Sequence, residues 1–248
     1  NHMSGHSKWH NIQAKKGKAD AARGKIFTKL GREIAVAARN NPNPSTNSKL
    51  ADVIAKAKAA NMPNDNIERS IKRAAGELGD RDYKELTYEG YGVGGAAVII
   101  KTLTDNNNRT AGDVRAIMSK HGGSLGTTGS VSYMFDEKGV IVLERTPDLT
   151  EEQVTDYAIE AGADDVVTQE DAFEIYTSVP AFSEARKFFE EKGLAFLEAE
   201  LSMIPQNKIT LPEDKLETFK KMLDKLDEND DVQTVWHNVE LPEEDDEE

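Results

Sequence analysis

The chain contains no cysteine, which excludes disulfides, thiolate metal ligands and cysteine nucleophiles and fits an intracellular home. No apolar stretch approaches the ~18 residues that cross a bilayer, so no membrane-spanning helix is expected. The residues after Met3 are polar and lack the apolar centre of a secretory signal. These absences point to an intracellular protein without a membrane partner. Hydrophobic residues make up only 38% of the 248, so small domains are expected rather than one large core. Asn1–Met3 reads as a cloning remnant, and His2 is left out of any site argument.

Catalytic patterns are also lacking. Five histidines without cysteine give no credible triad. His6 and His10 are four apart, but no further ligand joins them and the neighbouring lysines repel a cation. His121 closes a helix and His237 lies on an acidic terminal strand. Gly92–Ala97 has the glycines of a dinucleotide fingerprint, but it precedes a strand where that fingerprint must follow one. No Walker sequence occurs. Neither an enzyme, a metal nor a cofactor is expected.

What the sequence does have is a division of charge. Residues 1–75 hold 15 Lys+Arg against 5 Asp+Glu, a net of +10. The chain as a whole has 31 and 45, which leaves 16 and 40, a net of −24, for residues 76–248. A basic segment on an acidic body holds a polyanion on one side and repels it on the other. Lys8, Lys15, Lys16 and Lys18 lie on a polar arm around Trp9. Arg23, Lys25, Lys29 and Arg32 follow on a helix, largely outside its apolar stripe. Ser4–Arg32 holds 8 basic residues and one acid, Asp20, whereas an ordinary solvated face mixes both signs. Cations follow phosphates and an aromatic face stacks on an unpaired base, so nucleic acid is the expected partner.

The chain divides by pattern. The arm and helical domain cover 4–78, with amphipathic helices over Ala19–Arg39, Ser48–Asn61 and from Pro63 to near Gly76. Ala96–Leu103 reads as a strand, Arg109–His121 as a helix and Ser130–Phe135 as a strand. Residues 137–206 then alternate as βαββαβ, a ferredoxin-like unit, with Thr150 capping its first helix. A strand at Lys208–Leu211, a helix at Glu213–Leu226 and a strand at Val232–Val239 follow. With 79–136 they make a second such domain, into which the first is inserted. The fold class is therefore α+β and multidomain: an N-terminal three-helix domain and two ferredoxin-like domains. Residues 242–248 form an acidic tail, read as a solubilising terminus rather than a competitor for the arm. The acidic α/β domains offer a possible surface for a protein partner.

Thr104–Thr110 lies between a strand and a helix. Arg109 and the neighbouring amides suit a phosphate at the helix start, and an Asn-capped turn suits the same residues. Arg115 lies one and a half turns further on.

Gly5–Trp9, Arg23–Leu30, Arg32–Ile34, Asn61–Pro63, Tyr88–Gly92, Thr104–Thr110, Gly122–Gly123 and Gly129–Val131 together resemble the YebC/PmpR family. The resemblance runs from Met3 to about Leu241. It implies three domains, one inserted in another, and cytoplasmic, DNA-binding transcriptional regulation. It also includes the mitochondrial translational activator of cytochrome c oxidase subunit one, and bacterial ribosome-associated factors that relieve stalling at proline-rich stretches. An RNA or ribosome role therefore stands beside the DNA role. The family's recurrent Asn-Arg-Thr turn adds Arg109 to the candidate site. Gln13 and Ala14 stand where relatives often carry basic residues.

Overall fold

The structure is a computed structural model that describes residues 20–76 and 82–242. The described residues hold seven α-helices and two four-stranded antiparallel sheets. They fall into two compact units: one runs to Asp82 and takes in Glu137–Met203, and the other takes in Tyr83–Asp136 and the chain from Ile204 on.

In the first unit, α1 (Asp20–Ala38), α2 (Ser48–Ala59) and α3 (Asn64–Arg73) come first. Leu30, Ile34, Ala35 and Ala38 of α1 are buried, as are Leu50, Ala55 and Ala57 of α2 and Ile67 of α3. Asn47 joins the end of α1 to the start of α2. Its Oδ1 accepts from the Leu50 amide at 3.1 Å, and its Nδ2 donates to the carbonyls of Ala37 at 2.9 Å and Asn41 at 2.8 Å. One side chain thus satisfies open groups at two helix ends.

The inserted module of that unit has β4 (Phe135–Glu144), α5 (Glu151–Ala161), β5 (Asp165–Thr168), β6 (Ala172–Thr177), α6 (Phe182–Glu191) and β7 (Phe196–Pro205). The strand order β5-β6-β4-β7 puts its first and third strands at the centre. Ile141, Leu143, Phe173 and Ile175 face α5 and α6, meeting Val154, Ala158, Phe182 and Phe189. Each such buried side chain contributes on the order of 1.5–3 kcal/mol. Thr150 caps α5 through the Gln153 amide at 3.1 Å, as its sequence position implies.

In the second unit, β1 (Lys84–Tyr91), β2 (Ala97–Thr104), α4 (Asn107–Lys120) and β3 (Ser124–Leu125) precede the insertion, and α7 (Glu213–Glu228) and β8 (Val232–His237) follow it. The order is β3-β1-β2-β8. Val98, Ile100, Val114, Met118, Phe219, Met222 and Leu226 form its core.

Three elements differ from the sequence expectation. Lys84–Tyr91 is a full strand that the apolar pattern does not announce. Ser130–Phe135, expected as a strand, turns into a 3₁₀ segment over Ser132–Met134. The cause is Glu89: its carboxylate accepts from the amides of Gly129 at 2.7 Å, Val131 at 3.1 Å and Ser132 at 2.7 Å, so these groups do not pair with a neighbouring strand. Lys208–Leu211, also expected as a strand, is reduced to one parallel bridge between Ile209 and Val239.

Candidate nucleic-acid interface

The candidate residues divide into three sets. Lys8, Trp9, Lys15, Lys16 and Lys18 lie outside the described residues. Arg23, Lys25, Lys29 and Arg32 lie on α1, and Arg109 lies at the start of α4.

On α1 successive residues turn by about 100°. Lys25 and Arg32 are seven apart and so line one stripe at a rise of about 10 Å per step, and Arg39 follows at the same spacing just past the last residue of α1. They are half-buried, Arg23 is exposed, and the stripe lies opposite Leu30 and Ile34. Each of these cations has an interaction partner in the chain. Arg39 was not among the sequence candidates, although its sevenfold spacing from Arg32 was the available signal.

Lys29 departs from the sequence placement. It is only 7% exposed, so it does not stand on the solvated stripe. The same side of α1 carries Glu33, and Glu33 Oε1 holds Lys56 of α2 at 3.2 Å. Lys56 in turn reaches Glu200 on β7 at 3.4 Å. Burial opposes the Lys56 charge, but Glu33 and Glu200 outweigh it and raise its pKa above the ordinary lysine value. Glu198, Glu200 and Glu174 are all buried on this face of the inserted sheet. Burial, followed by Glu200, drives the Glu198 carboxyl well above the usual carboxylate range. Asp52 adds a second tie from α2 to the inserted module: Arg186 Nε donates to it at 2.8 Å and Ser183 Oγ at 2.6 Å. Lys29 thus belongs to the side that packs, and Lys25, Arg32 and Arg39 to the side that faces outward.

Arg109 serves the fold. Its Nε and Nη2 donate to Asp231 at 3.1 and 3.0 Å, and Nη2 also donates to Asp105 at 3.1 Å. Thr110 Oγ1 donates to the same Asp231 at 2.8 Å. These carboxylates raise the guanidinium pKa further. Asn106 caps α4 by accepting from the Arg109 amide at 3.1 Å. At Thr104–Thr110 the structure builds the Asn-capped turn and pairs Arg109 with two carboxylates, its side chain remaining 46% exposed. Asp231 lies 122 residues away in sequence, so no local pattern reveals the pairing.

The two described histidines, His121 and His237, are engaged structurally. His121 Nδ1 lies 2.8 Å from the Ile117 carbonyl oxygen, and His237 Nδ1 accepts from the Val239 amide at 3.1 Å. Among the described residues no group of His, Asp and Glu is placed to hold a metal, and no helix is long and apolar enough to cross a membrane.

Three helices carrying a stripe of cations, together with two antiparallel sheets and their packed helices, define a multidomain α+β protein. The chain belongs to the TACO1/YebC family: residues 7–77 match its N-terminal domain and residues 83–239 its second and third domains. A relative from Clostridium tetani, named a probable transcriptional regulatory protein, is 55% identical over 243 residues, covering 98% of this chain and 99% of that one. One from Hathewaya histolytica, with the same descriptive name, is 57% identical over 242 residues, covering 97% and 98%. The crystal structure of a conserved hypothetical protein from Aquifex aeolicus superposes with a TM-score of 0.81 at 43% identity, covering 98% of this chain and all of that one.

Proposed function

We propose that this chain is a non-enzymatic, DNA-binding regulator of transcription that works in the cytoplasm. It grips phosphates with Lys8, Lys15, Lys16 and Lys18 of the arm and with Arg23, Lys25 and Arg32 of α1, and Trp9 stacks on a base. The observation that carries this reading is the sign of charge along the chain, +10 over residues 1–75 against −24 beyond. The relatives' descriptive names agree with it. The inserted module concentrates the opposite sign: residues 137–203 hold 5 Lys+Arg against 17 Asp+Glu, a net of −12. That charge keeps a polyanion off this module and suits a basic protein partner.

A second reading, structured RNA on the ribosome, draws on one feature. The outward stripe of α1 holds Lys25, Thr28 and Arg32 and no amide side chain, and Arg39 follows just past its end. Reading bases in a major groove commonly uses Asn and Gln as well as Arg, whereas phosphate and shape readout needs cations alone. In-cell crosslinking followed by sequencing of bound DNA and RNA separates the two. Peaks at a few promoters are expected for the transcriptional reading. Reads concentrated on ribosomal RNA and tRNA, with co-sedimentation with ribosomes at physiological salt, overturn it in favour of translation.

A further inference from the structure

We infer that the face of the β3-β1-β2-β8 sheet turned away from its helices is a stacking surface for the unpaired bases of a single-stranded nucleic acid, with the rings of Tyr91 and Tyr133 as its platform. The inference rests on the nucleic-acid reading above and adds base contacts to its phosphate grip. α4 and α7 pack on one face of this sheet, where Val98, Ile100 and Tyr88 meet Val114, Met118, Phe219 and Met222. Alternate residues of β1 and β2 therefore point the other way. In register these are Thr87 opposite Lys101, Glu89 opposite Ile99 and Tyr91 opposite Ala97. Glu89 draws the backbone amides of Gly129, Val131 and Ser132 onto that face, and the next residue is Tyr133. The side chains of Tyr91 and Tyr133 hydrogen-bond to each other. Both rings are open to solvent, Tyr133 at 68% and Tyr91 at 39%. Their backbones are fixed all the same. Tyr91 pairs with Ala97 and Ser124, and the Tyr133 carbonyl oxygen accepts from Gln206 Nε2 at 3.1 Å. An exposed ring on a fixed backbone offers a π-face at little ordering cost.

Side-chain type and charge point to the occupant. Among the described residues, the other large exposed apolar side chains are aliphatic, and Ile159, Val179 and Leu201 lie in the inserted module. That module has a net charge of −12 and repels a polyanion, whereas residues 83–136 hold 5 Lys+Arg and 5 Asp+Glu and do not. On the face itself Glu89 is buried beneath its three amides, and Glu85 pairs with Lys101 at 3.6 Å. Asp136 and Glu137 follow Tyr133 closely in the chain, so the face has no surplus of cations. Exposed Lys120 lies in the last turn of α4, whose end abuts Tyr91: a Cβ on Gly123 would stand 2.5 Å from the Tyr91 carbonyl oxygen. The surface therefore holds its ligand by ring stacking, and the basic segment supplies the phosphate contacts. A four-stranded sheet open on one face stacks bases on aromatic side chains in this way, and stacking tolerates every base because each has a π-face. The occupant is an unpaired base, common to single-stranded RNA and single-stranded DNA.

The test uses the full chain with labelled RNA and DNA single strands of about 12 nucleotides and a duplex DNA of about 20 base pairs, titrated across a range of salt concentrations. Tyr91→Ala with Tyr133→Ala is compared with Tyr91→Phe with Tyr133→Phe, and with Lys15→Ala, Lys16→Ala and Lys18→Ala together. Circular dichroism checks that the variants fold, and Tyr133→Ala alone, at the more exposed ring, serves if the alanine pair does not. Each stacked base is worth roughly 5- to 150-fold in affinity. The alanine pair should therefore bind a single strand about tenfold or more weakly at every salt concentration, and Tyr133→Ala alone about fivefold or more weakly. The slope of log affinity against log salt and the affinity for the duplex should not change, because the rings touch no phosphate. The phenylalanine pair keeps the rings and should bind as the unmodified protein does. A loss on the RNA strand, the DNA strand or both supports the surface and says which strand it takes. Single-strand binding that the alanine variants leave unchanged, while the arm variant lowers the salt slope, overturns the surface and leaves the nucleic-acid reading standing. A phenylalanine pair as weak as the alanine pair, or binding of the duplex alone, overturns it equally. If no probe binds the unmodified protein, the nucleic-acid reading fails and the surface falls with it.

Discussion

Glu89 shows how one residue shapes a segment that its own sequence misdescribes. It is 6% exposed and lies on β1, 40 residues before the first amide it binds. Burial works against its charge, but the amides of Gly129, Val131 and Ser132 outweigh burial and lower its pKa. Gly129 takes φ 91°, a left-handed conformation that favours glycine, and so helps the loop present those donors. Two of the sequence motifs, Tyr88–Gly92 and Gly129–Val131, are therefore halves of one arrangement. Glu89→Gln removes the charge while keeping the shape. Its stability at pH 7, measured by urea denaturation, should fall by about 2 kcal/mol, the scale of a hydrogen bond to a charged group. Because the folded pKa is depressed, the contribution is present above the unfolded value near 4.5 and is lost as pH falls through the lower folded value. The gap between variant and unmodified protein should therefore close in acid. A gap that persists below that range would mean that geometry rather than charge holds the loop.

Among the elements, those built from local periodicity were legible and those completed by distant partners were not. α1, α2, α3, α5 and α7 begin within a residue or two of their expected starts, because caps and apolar stripes are written in adjacent residues. β1 escaped notice because Lys84–Tyr91 is mostly polar and only half-buried, and its strand character comes from pairing along its whole length with β2. Val131, Tyr133 and Phe135 alternate like a strand, yet Glu89 diverts the backbone and leaves Tyr133 68% exposed. At the candidate site the charge stripe of α1 was legible in outline. The burial of Lys29 is not announced by its position beside the cationic stripe, and the capture of Arg109 depends on Asp231, remote in sequence. The face where α2 meets that sheet makes its own prediction. Burial and Glu200 raise the pKa of Glu198, so its stability contribution is retained in acid and lost progressively as pH rises from 4.5 toward the raised folded value. Glu198→Gln, which needs no proton to stay neutral, should flatten that decline. Urea midpoints at about pH 6 and pH 9 check it. An equally steep fall in the variant would show that Glu198 is not the group being charged.

Over the whole molecule, charge is partitioned by segment more sharply than the pI near 4.9 suggests. Residues 83–136 are balanced, with 5 Lys+Arg and 5 Asp+Glu, so the acidity resides mainly in the inserted module and after it. α2 of the basic segment is tied to that module by Asp52–Arg186 and Lys56–Glu200, each an ion pair between the helix and the inserted fold. The cations of the described helices and the acids of the inserted module thus lie within one unit, an arrangement that under the proposed function would orient a bound polyanion. The most direct test of that claim is the salt dependence of duplex DNA affinity for the unmodified chain and for the variant with Lys15, Lys16 and Lys18 all changed to Ala. A steep negative slope that flattens by roughly two to three units in the variant is the predicted result. A slope that is the same in both proteins would contradict the assignment of the basic arm to phosphate binding.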